Sequence, residues 1–165
     1  MATNQAKELF VFLLSDLRQG AERTIKIFRE IGKLAQDRDI KEALGGRVLM
    51  AKKILAALDE ALKLIGATPV KRSGRIYAAF MEDFRRELTE IKTREARRLF
   101  ILAEVSHLVH LRIGECTALI SAADVSGHYG VGILLESRLA DKLAFGETTR
   151  RLIREHLPRD VAQPA

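Results

Sequence analysis

The chain has 165 residues, 47% hydrophobic and 30% charged, with a net charge of +6 at pH 7 and a pI near 9.7. That length gives one domain with a core of its own, and a single cysteine, Cys116, excludes an intramolecular disulfide. No window approaches 18 uncharged apolar residues and no basic stretch precedes an apolar leader, so a reducing cytoplasmic location is expected, with neither membrane insertion nor export.

Prolines stand only at 69, 158 and 164, and β-branched alternation is nearly absent, so the chain reads as helices joined by short connections. The first helix is expected over 5–35. Its stripe Phe10, Leu14, Leu17, Ala21, Thr24, Phe28, Ile31 and Ala35 steps by three or four residues and lines one face. Phe12, Leu13 and Ile27 widen the apolar surface beyond that stripe, and a wide apolar face points to a partner, here a symmetric homodimer.

Asp37 is placed to cap the second helix, expected over 38–65, by accepting a hydrogen bond from an early backbone N–H. Gly66 and Pro69 end that helix. Its inward line Leu44, Arg47, Ala51, Ile54, Leu58, Ala61 and Ile65 contains an arginine. After the loop Thr68 to Gly74, a shorter helix over 75–91 repeats Ile76, Phe80, Phe84, Leu88 and Ile91.

The next helix, expected over 94–123, carries Leu99, Leu102, Ser106, Val109, Ile113, Cys116, Ile120 and Ala123 as its inward line and ends at the turn 124–127. A last helix over 128–156 holds Val131, Leu134, Leu135, Phe145, Leu152 and Ile153, and Pro158 stops it. Each stripe needs another to bury it, so the fold class is all-α: an antiparallel four-helix bundle with a shorter connecting helix as crossover.

Several local features have ordinary structural accounts. Cys116 lies in an apolar run and reads as a small buried hydrophobe rather than a reactive thiol. The basic clusters Arg85-Arg86, Arg97-Arg98 and Arg150-Arg151-Arg154 lack interleaved aromatics to stack bases, so nucleic acid is not an expected partner. The glycine-rich stretch 127–132 follows no strand and reads as a helix start.

The runs ELFVFLLSDL, DIKEALGGRVLMAKKILAALDEALKLIGATP, VSHLVHLRIGE and LLESRLADKL resemble the YciF/YciE-type ferritin-like family of bacterial proteins, over about residues 8–157. The resemblance implies a ferritin-like bundle, a dimer and an association with stress responses, and brings no established catalytic activity. It also implies inward carboxylates and a histidine, the set a di-iron or di-manganese centre needs. This chain departs from that pattern. Ala21 stands where a helix-one glutamate is expected, with Glu22 rotated about 100° away; Arg47 and Met50 stand in helix two, Ser106 and Val109 around His107, and Ala140 beside Asp141.

The expectation is therefore a non-enzymatic bundle without a cofactor. The alternative is an iron- or manganese-binding protein using Glu104, His107 and His110, which are spaced one helical turn apart, with Asp141 as a further candidate. A guanidinium at Arg47 cannot shed its proton, so it either pairs with Asp141, or next with Glu104, or packs its stem on the core and snorkels to water.

Overall fold

The computed structural model describes residues 6–156. Five helices follow in order: α1 (Ala6–Leu34), α2 (Arg38–Leu64), α3 (Arg75–Glu90), α4 (Arg94–Val125) and α5 (Tyr129–His156). The described residues contain no strand. Expected and observed helix bounds agree to within about two residues, the usual spread of helix ends; the expected start at Gln5 and the stop at Pro158 lie outside the described residues.

The helices α1 and α2 form one hairpin and α4 and α5 another, with α1 against α4 and α2 against α5. Two contacts fix the directions. Arg94, at the start of α4, reaches Asp37 in the α1–α2 turn at 2.7 Å. The ring of His128, just before α5, stacks on Phe10 near the start of α1, with centroids 4.9 Å apart. Every neighbouring pair in the bundle is therefore antiparallel, and α3 carries the chain from one end to the other against α1 and α4.

Helices α2 and α4 end alike. Gly66 and Gly127 adopt φ values of 64° and 74°, a left-handed backbone that only glycine takes without a Cβ penalty. The amides behind them, Ala67 and His128, then reach back to Leu62 and Ala123 and satisfy carbonyls that the helix leaves open. Asp37 does not act as expected. It stands at the first cap of α2, but its carboxylate makes no capping bond and instead binds Arg94 and, at 3.5 Å, Arg98.

The predicted stripe of α1 is buried along its whole length, Phe10 through Ala35, and that of α2 from Leu44 to Ala61. The stripe of α3 is rotated: Tyr77 and Met81 join Phe84 and Leu88 inside, while Ile76 is 54% exposed. In α4 the line shifts partway round the helix. Leu102, Val109, Cys116 and Ala123 are buried as expected, but Ile101, Val105, Leu108, Arg112 and Leu119 accompany them, and Leu99 is exposed. The cause is packing on several sides: α4 touches α5, α1 and α3, so its apolar residues cover a broad arc from which the core direction cannot be read.

The core has two halves. One gathers Phe28, Ile31, Leu44, Phe84, Leu102 and Val105 near the α1–α2 turn, the other Phe10, Leu14, Leu58, Leu119 and Leu135 at the opposite end. Between these halves lies a layer that is not apolar.

Candidate functional site

Three cations enter that layer from three helices: Arg47 from α2, Arg112 from α4 and Lys142 from α5, exposed by only 3%, 2% and 1%. Such groups are almost never fully buried without a counter-charge, because each loses several kcal/mol of hydration. Their surroundings differ.

Arg112 is fully engaged. One terminal nitrogen donates to the Leu17 carbonyl of α1, and the other to the Tyr77 hydroxyl of α3 at 2.7 Å and to the Glu115 carboxylate. Gly20 makes room for this arrangement, since a Cβ there would stand 1.9 Å from an Arg112 nitrogen and 2.4 Å from the Tyr77 oxygen. Burial pushes the Tyr77 hydroxyl up to about 12 and raises the Glu115 carboxyl above its ordinary range, while Arg112 opposes both shifts.

Lys142 is held more loosely. Its Nζ donates at 3.4 Å to the Arg138 carbonyl one turn back. Burial brings its pKa down to about 8, with the charges of Arg112 and Arg47 pushing the same way and Cys116 opposing. Burial also raises the Cys116 thiol, which donates to the Leu135 carbonyl at 3.6 Å and stays protonated at neutral pH.

Arg47 is buried, as its place in the α2 stripe predicts, but the expected acid partner is missing. Its Nε and Nη1 are sealed from solvent and have no hydrogen-bond partner. What it has is the face of Phe145, 5.2 Å from Cζ to the ring centroid. Burial lowers its pKa to about 10, Arg112 lowers it further, and Asp141 acts the other way from a distance. The Asp141 carboxylate itself bonds Arg138 at 3.3 Å, and Glu104 bonds His107 at 3.1 Å.

The metal-ligand candidates do not converge. His107 is 72% exposed on the surface of α4, and His110 Nδ1 lies 2.8 Å from the Ser106 carbonyl rather than facing a second ligand. Among the described residues no group of three or more His, Cys, Asp and Glu side chains is placed to hold a metal ion. A di-metal centre needs deprotonated ligands converging on one point. At mid-bundle the chain offers Ala21, Arg47, Val109, Arg112 and Lys142, and two of Arg47's buried nitrogens are orphaned, so the residues present do not fit that group. Two expected positions are also displaced: Ser106 is only half-buried and Ala140 is exposed, and Val105 and Lys142 take the inward places beside them.

The family model for a domain of unknown function, DUF892, matches residues 5–164. This chain belongs to the DUF892 family. Two solved structures share its fold. YciF, a stress protein of E. coli, aligns with a TM-score of 0.86 at 15% identity, covering 98% of this chain and all of its own. YcfI, a proposed structural protein from Rhodopseudomonas palustris, aligns at 0.85 and 18% identity, covering 91% of this chain and 97% of its own. Comparison with curated proteins gives no match. At such identities the likeness is one of fold, and the family and fold expected from the sequence are shown.

Arg112 and Lys142 are the residues of this layer that the sequence reading missed. A signal was present: Arg112 lies one turn before Cys116, and Lys142 lies seven residues after Leu135 and three before Phe145, both on lines already assigned to the core. Apart from this packed layer, a concavity of about 730 Å³ opens where α4 begins, between Asp37, Asp39, Arg94 and Arg98 over Leu102 and Ile153. Its charges are joined by ion pairs, Arg94 to Asp37 and Arg98 to both aspartates, which leaves a rim of mixed sign. No described helix is long and apolar enough to cross a membrane.

Proposed function

We propose that this chain is a non-enzymatic, ferritin-like helical bundle, acting as a structural or stress-associated homodimer without a functional di-metal centre. The observation that carries this reading is the mid-bundle layer, where buried cations and aliphatics stand in place of convergent carboxylates. Cations repel the metal ions that such a site would collect. Its structural neighbours, a stress protein and a proposed structural protein, belong to the same classes of role.

Support for the dimer comes from α5 rather than from α1. Ile27 is buried in the same core half as the α3 side chains, and Arg72 covers the Phe12 ring, so the wide apolar face of α1 is used within the chain. On α5, by contrast, Ile133 is 69% and Leu143 50% exposed, with Ala140 and Ala144 between and beside them.

Elemental analysis of protein purified without chelators tests the central claim. We expect well under one iron, manganese or zinc per chain, and no saturable uptake of iron or manganese. Two metal ions per chain bound inside the bundle would overturn the proposal. The second reading, metal binding through Glu104, His107 and His110, rests on the 3.1 Å Glu104–His107 contact. It predicts surface uptake that His107→Ala abolishes.

A further inference from the structure

The concavity at the head of α4 opens onto the core half nearer the α1–α2 turn. Its floor is apolar: Leu102, only 3% exposed, belongs to that core half, Ile153 packs against it, and Leu99 stands 42% exposed beside them. Around the rim the charges answer one another, Arg98 with Asp39 and Asp37, Arg94 with Asp37, and Arg38 with Glu42. A volume of about 730 Å³ suits a small molecule or a few side chains. An apolar floor under a rim of balanced charge favours an occupant that is mainly apolar and carries both signs.

The chain itself supplies such an occupant. Ile153 lines the concavity and lies three residues before His156, the end of α5, so the chain leaves that helix about 5 Å along its axis from the concavity wall. The sequence continues with LPRDVAQPA over 157–165, where Leu157 and Val161 are the large apolar side chains and Arg159 and Asp160 give one charge of each sign. Proline at 158 cannot continue a helix, and nine extended residues reach about 30 Å, enough to double back over a space of this size. We infer that the concavity is the docking groove of this chain's own segment 157–165, which seats Leu157 and Val161 on Leu99, Leu102 and Ile153 and sets Arg159 and Asp160 among the acids and arginines of the rim. Burial of the two apolar side chains drives the docking, since exposed ion pairs add little. Neither the metal content of the protein nor the α5 dimer face enters into this inference.

The test is disulfide trapping in the full chain, which suits this protein because its single native cysteine, Cys116, is sealed in the core. A disulfide forms only between cysteines whose Cα atoms come within about 7 Å. Under mild oxidation Leu99→Cys with Val161→Cys should give a bond within one chain, seen as a faster band on a non-reducing gel and as a joined peptide pair by mass spectrometry. Leu64→Cys with Val161→Cys, which places the first cysteine at the far end of the bundle, should give none. Equal trapping of both pairs, or no trapping of the first, overturns the docking. Trapping between chains alone also overturns it and makes a second copy the occupant. Thermal melting gives an answer independent of the cysteines. Val161→Asp should lower Tm by about 3–6 °C, and Gln163→Asp should leave it unchanged. Equal Tm values for Val161→Asp and the native chain refute the inference and leave the concavity open to a small molecule.

Discussion

Arg47 and Arg112, two of the buried arginines, are expected to respond in opposite ways to the same substitution. Arg112 ties α1, α3 and α4 together through the Leu17 carbonyl, Tyr77 and Glu115, so Arg112→Met strands the buried Tyr77 hydroxyl and a half-buried carboxylate and should destabilise by about 3 kcal/mol in a denaturant melt. Arg47 holds no acid, and Arg47→Met exchanges an orphaned buried cation for a side chain of similar length. That change should leave stability unchanged or raise it by about 1–3 kcal/mol. A large loss for Arg47→Met would show that a counter-charge holds the Arg47 guanidinium. Gly20 gives a third test at this scale. Alanine in a helix interior usually gains about 1 kcal/mol over glycine, but here its Cβ meets an Arg112 head that cannot withdraw without breaking buried hydrogen bonds. Gly20→Ala should therefore cost about 1–3 kcal/mol net, read as a lower urea midpoint at unchanged slope. None of these three roles is visible at its own position in the sequence, because each depends on a partner at least 30 positions away or on a missing one.

Helices differ in how far their own sequence discloses their orientation. In α1 the apolar stripe is clean, since one side meets the bundle and the opposite side carries Glu22, Lys26 and Arg29 into solvent, and every predicted inward residue is buried. In α4 and α5 apolar residues are scattered around the axis, and the 3.6-residue periodicity is weak. For α4 that weakness comes from contact with three other helices. For α5 part of it comes from the exposed Ile133 and Leu143, which lie on its outer side and mark the proposed face between two copies. Sedimentation at micromolar concentration should show a dimer, and the double substitution Ile133→Glu and Leu143→Glu should give a monomer with an unchanged helical circular dichroism spectrum. A native chain that sediments as a monomer would remove the face from consideration.

At the scale of the whole molecule, the buried layer leaves a signature in the pH dependence of folding. Lys142 is faced by Cys116 and Arg112 from α4 and by Arg47 from α2, and its pKa lies at about 8 in the folded chain against 10.5 for an ordinary lysine. Between those values the unfolded chain binds the extra proton, so the Lys142 contribution to stability rises with pH from about 8 upward and is flat below it. Tyr77 works against this only above its ordinary value of 10.0, since its folded pKa is raised. Lys142→Met should accordingly be more stable than the native chain at pH 7, and that advantage should shrink by pH 10 in paired melts; a difference independent of pH would contradict the burial of a charged lysine. The sequence by itself determined the all-α class, five helices within about two residues at each end, the core stripes of α1 and α2, and the inward place of Arg47 on the α2 line, because these follow from local periodicity and from breakers such as Gly66, Pro69 and Gly127. Only the tertiary structure decided that Asp37 binds arginines rather than capping α2, that Asp141 pairs with Arg138, and that Arg112 and Lys142 join Arg47 between two apolar halves. Those outcomes depend on which side chains three or four helices bring to one level, and a helix does not encode the rotation of its neighbours.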